Sequence, residues 1–264
     1  MATVNVTSWA QFVQAIAVSG DTVVLPSGEL WDMNEIAPEG VSDNIPIRCA
    51  VINGNNTEIR NLHIFGKFVV YNNLEMNDVI FKNIVSENTA FIDQSSSQRT
   101  ITMNRCIITG LTGLNTIGFI YGPVTASRCT FNVDLTPSTG SEIYLVRNLF
   151  AATYCRISAK FPQYTGRLQL YASVGGIKYC YVNIFAPATT QIYSYMFSGC
   201  VVTGNYGNAF DAQPGSYRPA FVSVYDVAAF SDEFVPGADY FKPVTQSQLY
   251  DASYLASIGF PIGA

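Results

Sequence analysis

The sequence predicts an all-β chain folded as a right-handed parallel β-helix, with a short N-terminal capping helix and an irregular C-terminal cap. Three observations carry this. A seven-residue unit recurs along the middle of the chain at steps of 27, 23, 26, 25 and 20 residues. Within each unit the apolar positions alternate with period two, as in a strand. The units are rich in Val, Ile, Phe, Tyr and Thr, which favour strands.

The chain divides into a cap at residues 1–21, β-helix rungs at 22–204, and last rungs with a C-terminal cap at 205–264. In the first part, Trp9, Phe12, Val13 and Ile16 are spaced as the apolar face of a short helix, with Thr7 or Ser8 as its cap. Gly20 and Asp21 end it, and Thr22-Val23-Val24-Leu25 begins the first rung. A solenoid needs such a cover because its terminal repeats have no neighbour on one side.

The repeat itself is Met103-Asn104-Arg105-Cys106-Ile107-Ile108-Thr109, then the segments centred on Cys129, Cys155, Cys180 and Cys200. Met76-Asn77-Asp78-Val79-Ile80-Phe81-Lys82 is the same unit with Val for Cys, and Leu62-His63-Ile64 is a weaker copy. The polar pair before each Cys interrupts the alternation, which places a corner there. Steps of variable length around a constant unit put the insertions in surface loops. The right hand follows from strand twist and crossover bias.

Each repeat position becomes a column in the stack. Cys106, Cys129, Cys155, Cys180 and Cys200 form an interior column of free, buried thiols. Parallel Cβ vectors about 4.8 Å apart are too far for an unstrained disulfide. Asn77 and Asn104, continued by Ser127 and Thr153, form a short Asn ladder. The corner column holds Asp78, Arg105, Arg128, Tyr154 and Tyr179, with Asp78 and Arg105 placed to pair. Arg105, Arg128, Tyr154 and Tyr179 could bind glycan, since aromatic faces stack on sugar rings and Arg pairs with carboxylates. The simpler reading is that these planar groups stabilise the corner. The residue after Cys should face outward. Ile80, Ile107, Tyr181 and Val201 then make an apolar outer stripe, to be buried by a partner, as in a threefold assembly, or by the C-terminal segment.

From Asn205 onward the unit is lost, and Pro214, Pro219, Pro236 and Pro243 break up pairing. Gln246 to Ile258 reads as a short closing helix capped by Thr245.

The N-terminal helix followed by Gly20-Asp21-Thr22 resembles the cap of pectin-lyase-like β-helix proteins. The closing segment from Thr245 to Leu255 with Gly259-Phe260-Pro261-Ile262 resembles that of β-helix proteins from bacteriophages and gut bacteria. The resemblance implies either a virion component or a polysaccharide-cleaving enzyme. Pectate lyases of this fold use clustered carboxylates and an Arg base, and glycosidases use carboxylate pairs about 5–9 Å apart. Acids recurring at matching places on neighbouring rungs are missing here. Asp93, Asp134 and Glu142 fall in variable loops without shared register, and Asp211 and Asp226 lie in a region with no clear alignment. His63, the single histidine, reads as an outward-facing surface residue. No catalytic residue, metal site or cofactor is assigned.

Composition narrows the partners. Only 12% of the 264 residues are charged, the net charge is -5 and the pI about 4.8. Nucleic-acid binding, which needs a basic footprint, is not expected. No run is long and apolar enough to insert in a membrane. The two sequons, at Asn5 and Asn55, are read as chance. With no leader in view, the expectation is a protein made in a host cytoplasm and carried on a virion as a decoration, head-fibre or receptor-binding component. Its expected partners are copies of itself as a homotrimer, other virion proteins, or host surface polysaccharide. A polysaccharide lyase or hydrolase, and a non-enzymatic glycan-binding adhesion module, are the alternatives.

Overall fold

Strands of two to seven residues cannot bury their apolar side alone. Here each returns one turn later beside its predecessor, parallel and in register. In the computed structural model this produces three parallel sheets. The structure describes residues 2–94, 99–113, 118–135, 142–147, 150–160, 167–170, 177–178, 180–185, 191–194, 197–198 and 201–203. The closing helix, the prolines after 213, Asp211, Asp226, Tyr179 and Cys200 lie outside the described residues.

The first sheet contains Thr22–Val24, Val51–Asn53, Leu74–Asn77, Ile101–Asn104, Val124–Ser127, Phe150–Thr153, Ile177–Lys178 and Phe197–Ser198. The second contains Leu30–Asp32, Glu58–Arg60, Ile80–Ser86, Ile107–Gly113, Thr130–Leu135, Arg156–Lys160, Tyr181–Phe185 and Val201–Thr203. The third runs from Ile45–Ile47 through Phe68–Val70, Ala90–Gln94, Gly118–Tyr121, Glu142–Arg147 and Arg167–Leu170 to Gln191–Ser194. The chain visits the sheets in rotation, so the fold is a parallel β-solenoid. The register matches like with like: Met76, Met103 and Ala126 align, as do Phe81, Ile108 and Phe131.

The interior is one apolar cluster drawn from all three sheets. Phe68, Phe81, Phe91, Phe119, Phe131 and Phe150 form an aromatic column along it, with successive ring centroids 5.4–6.4 Å apart. These separations suit offset and edge-to-face contacts, worth about 0.5–1.5 kcal/mol per pair beyond burial. The repeat unit does not announce this column, because Phe91 and Phe119 belong to the third sheet, between copies of it.

The N-terminal cap forms as its pattern predicts, with one addition. Helix α1 spans Trp9–Ile16, and the Ser8 side chain accepts from the Gln11 N–H. Gln11 Oε1 accepts in turn from the N–H of Thr7, the residue before the cap, at 2.9 Å. Trp9, Phe12, Ala15 and Ile16 are buried, while Val13 only borders the core. The Ile16 carbonyl, an orphan acceptor at the helix end, receives the N–H groups of Arg48 and Cys49. The addition is a strand at Thr3–Asn5 that pairs with Thr22–Val24. Three residues with one partly buried valine are too few for a sequence pattern. A second helix, α2 (Met33–Ile36), starts from an N-cap at Asp32. The Asn55 sequon is closed off: the Asn55 side-chain amide donates to the Leu25 carbonyl, and Thr57 is fully buried.

At Ile80 and Ile107 the outer stripe is covered within the chain itself. Phe81 and Ile108 point into the core, so Ile80 and Ile107 do point away from the axis. They are nevertheless enclosed, each 1% exposed, in a position separate from the main core. Glu58, the register partner of Ile80, is linked to Lys82 at 3.8 Å, so a charged pair brackets the isoleucine on that face. Tyr181 and Val201 continue the same register row, but their side chains lie outside the described residues.

Candidate functional site

The corner between the first and second sheets brings together most of the residues singled out from the sequence. Asp78, Arg105, Arg128 and Tyr154 have φ of 53°, 51°, 54° and 56°. Each turns the chain through a single left-handed residue, an uncommon conformation for side chains other than glycine. The residue before each corner belongs to the first sheet and the residue after it faces the core. A one-residue corner of this kind permits no slack, which is why its flanking positions repeat.

Outside the corner, Arg105 makes two bonds to Asp78, Nε to Oδ1 and Nη2 to Oδ2, both 2.7 Å. The hydrogen bond to Asp78 raises the already high pKa of Arg105. The guanidinium fork is thus engaged within the protein. Arg128 is exposed and makes no ion pair among the described residues. Tyr154 is half-buried. Of the four residues proposed from the sequence to bind glycan, Arg128 alone offers a free charged group in the described structure.

Two ladders run behind this column. Asn104 Nδ2 donates to Asn77 Oδ1 at 2.9 Å, and Asn77 Nδ2 to Asn53 Oδ1 at 3.1 Å, so the Asn ladder starts one turn earlier than the repeat indicates. Gly54 follows Asn53 with its N–H on the Asn77 carbonyl at 2.7 Å, and a Cβ there would lie 2.6 Å from the Val79 Cα.

The second ladder is the thiol column. Cys106, Cys129, Cys155 and Cys180 are free and buried, as is Cys49, which stands outside the repeat. The thiols do more than fill space. Cys155 Sγ accepts the Cys129 N–H at 3.4 Å, and Cys180 Sγ accepts the Cys155 N–H at 3.2 Å. Cys106 and Cys129 donate to the Met76 and Met103 carbonyls one turn back, at 3.3 and 3.4 Å. The thiols therefore satisfy backbone groups that the corner removes from the sheet pattern. Burial pushes the Cys49 thiol up to about 12 and raises Cys129 as well, which keeps both as protonated, unreactive thiols.

The opposite corner, between the second and third sheets, carries a cluster that the repeat does not mark. His63 Nε2 meets Glu87 Oε1 at 2.6 Å, and the His63 ring lies against Phe65 with centroids 4.3 Å apart. Lys67 Nζ meets Asp93 Oδ2 at 2.5 Å. His63 does face outward, as expected, but is half-buried and partnered. The available signal was turn spacing. Asp32–Arg60, His63–Glu87, Lys67–Asp93 and Asp78–Arg105 are separated by 28, 24, 26 and 27 residues. Complementary charges one turn apart become neighbours. Asp32 is the most embedded in such bonding: hydrogen bonds from Asn61 and then Arg60 hold its carboxyl below the usual carboxylate value.

No family model, no curated protein and no solved structure matches the chain.

Proposed function

We propose that the chain is a non-catalytic structural and binding component of a bacteriophage particle, a decoration, head-fibre or receptor-binding element that contacts a capsid partner or a host surface glycan. The observation that carries this reading is the use made of the acids. Asp32, Glu58, Asp78, Glu87 and Asp93 each face a cationic residue or His63 on a neighbouring turn. Carboxylates committed to holding turns together suit a rigid rod better than a hydrolytic pair, which keeps two carboxyl groups on either side of a bond to be cut. The sparsely charged sequence and the likeness of its closing segment to that of β-helix proteins from bacteriophages and gut bacteria support the same reading.

With Ile80 and Ile107 enclosed within one chain, these positions no longer argue for a threefold assembly. The proposal therefore expects a monomer that binds a partner of another kind. Light scattering of the native protein, followed by incubation with soluble polysaccharides and reducing-end analysis, tests it. A monomer that releases no new reducing ends is the expected result. Release of oligosaccharides would overturn the non-catalytic reading, and a stable trimer would restore the assembly model.

A further inference from the structure

We infer that Asn53–Gly54 is a covalent modification site that the fold keeps closed: it deamidates only when the first turns open, and the product blocks return to the native stack. The inference stands apart from the preceding reading. This is the single Asn-Gly step in the sequence, and two separate demands of the solenoid put it there. Asn53 starts the Asn ladder, its Oδ1 accepting from Asn77 Nδ2 at 3.1 Å. Gly54 is buried, and a Cβ there would lie 2.6 Å from the Val79 Cα, so a side chain is excluded. Glycine is also the residue that least hinders attack by its own nitrogen on the side chain of a preceding Asn.

In the reaction Gly54 N loses its proton to hydroxide and bonds to Asn53 Cγ. The Cγ–Nδ2 bond breaks, and the leaving nitrogen takes a proton from water and departs as ammonia, leaving a succinimide ring. Water then opens the ring at either carbonyl. The product is aspartate or, with the chain rerouted through Cβ, isoaspartate. The native contacts oppose the first step. The Gly54 N–H donates to the Asn77 carbonyl at 2.7 Å, and the Asn53 carbonyl of the same peptide unit accepts from the Leu25 N–H at 2.9 Å. That unit is clamped between the turns before and after it, in the register Val24, Asn53, Asn77. The ladder bond also directs the Asn53 amide toward the next turn, not back onto its own chain. Local opening has to break these bonds together, so the native rate is the unfolded rate multiplied by the fraction open. The product fits poorly. A carboxylate at position 53 would stand near Glu75, whose Oε1 takes the same Asn77 Nδ2 at 3.0 Å. Isoaspartate adds a backbone carbon just ahead of a glycine packed against the Val79 backbone.

Holding the intact protein in mildly alkaline buffer, with and without denaturing guanidinium chloride, and then digesting it with trypsin tests this. Residues 49–60 form one tryptic peptide, bounded by Arg48 and Arg60, and fragment-ion masses place any deamidation within it. Deamidation of Asn53 is expected to be at least tenfold slower in the native sample. On dilution from denaturant, modified chains should remain in the unfolded fraction on size exclusion while unmodified chains refold. Equal rates with and without denaturant would overturn the gate. Modified and unmodified chains refolding in equal proportion would overturn the block. Asn53→Gln, whose longer side chain closes the ring far more slowly, should hold its refolding yield through the same incubation. Loss of that yield at the parent's rate would overturn position 53 as the cause. If Asn53→Gln does not fold, the rate comparison on the parent decides.

Discussion

The two corners that flank the second sheet obey different rules. Between the first and second sheets, two residues separate Asn77 from Ile80, Asn104 from Ile107, Ser127 from Thr130 and Thr153 from Arg156, and the spacing persists to Val201. Between the second and third sheets the gaps are three residues after Ser86, four after Gly113, six after Leu135 and Lys160, and five after Phe185. At Asp78, Arg105, Arg128 and Tyr154 the first corner is a left-handed residue followed by an inward residue, with no slack, whereas in the two earlier turns five residues follow Val24 and four follow Asn53. The second varies in length from turn to turn. Structural repetition gathers at the tight corner, and chemically individual residues such as His63, Phe65 and Glu87 gather at the loose one. Binding residues commonly sit on loops held by a rigid scaffold.

The strongest way to break this contrast is to lengthen each corner by one glycine. Inserted between Arg105 and Cys106, it would reverse the facing of the strand that follows. At about 1.5–3 kcal/mol for each apolar side chain turned out of the core, the folded state should be lost in urea titrations. Inserted between Asn88 and Thr89, the same residue should cost less than about 1 kcal/mol, the scale of loop-length effects. Equal costs would show that the two corners are alike.

A smaller effect tests the thiol ladder. Cys155→Ala removes the acceptor of the Cys129 N–H and should destabilise by about 1–3 kcal/mol, the range for a buried unsatisfied group. Cys155→Ser, which keeps an acceptor, should recover part of that loss. If the two variants unfold alike, the sulfur acts by volume alone. Outside the same corner, Arg105→Ala should cost no more than about 1 kcal/mol, because its side chain is half-exposed. That cost should shrink further in 1 M salt.

The smallest effect is a change with pH. The Asp32 carboxyl is held down by Asn61 and Arg60, so its folded pKa lies below its unfolded value of about 3.9. Its contribution is complete above that value and is lost as the pH falls through the lower folded one. The gap in urea midpoint between the parent and Asp32→Asn should stay constant near neutrality and close below about pH 4.

Much of the tight corner was legible in the sequence. A one-residue turn forces a fixed spacing, so Asn77, Asp78, Arg105, Cys106 and their equivalents announce themselves. The Asp78–Arg105 pair and the buried thiols followed from stacking the units. For Ile80 and Ile107 the same reasoning gave the outward direction but left open what covers them, because alternation tells which way a side chain points but not whether that side is covered. It passed over the bend inside the second sheet, where Asn61, Asn83 and Gly110 adopt φ of 59°, 54° and 63°. Nor did it single out Glu87 or Phe65, because the loop lengths vary and the loose corner has no fixed register to read along.

Helix α1 has a consequence beyond stability. In a stack where each turn bonds only to the turns beside it, an uncovered end is a template on which another chain can continue the pattern. Trp9, Phe12 and Ile16 cover the interior of the first turn, and Pro46, without an N–H, stands in the terminal strand of the third sheet. Together they act as a chain terminator for polymerisation at that end. The eight residues of α1 close one end of an architecture whose turns could otherwise continue there.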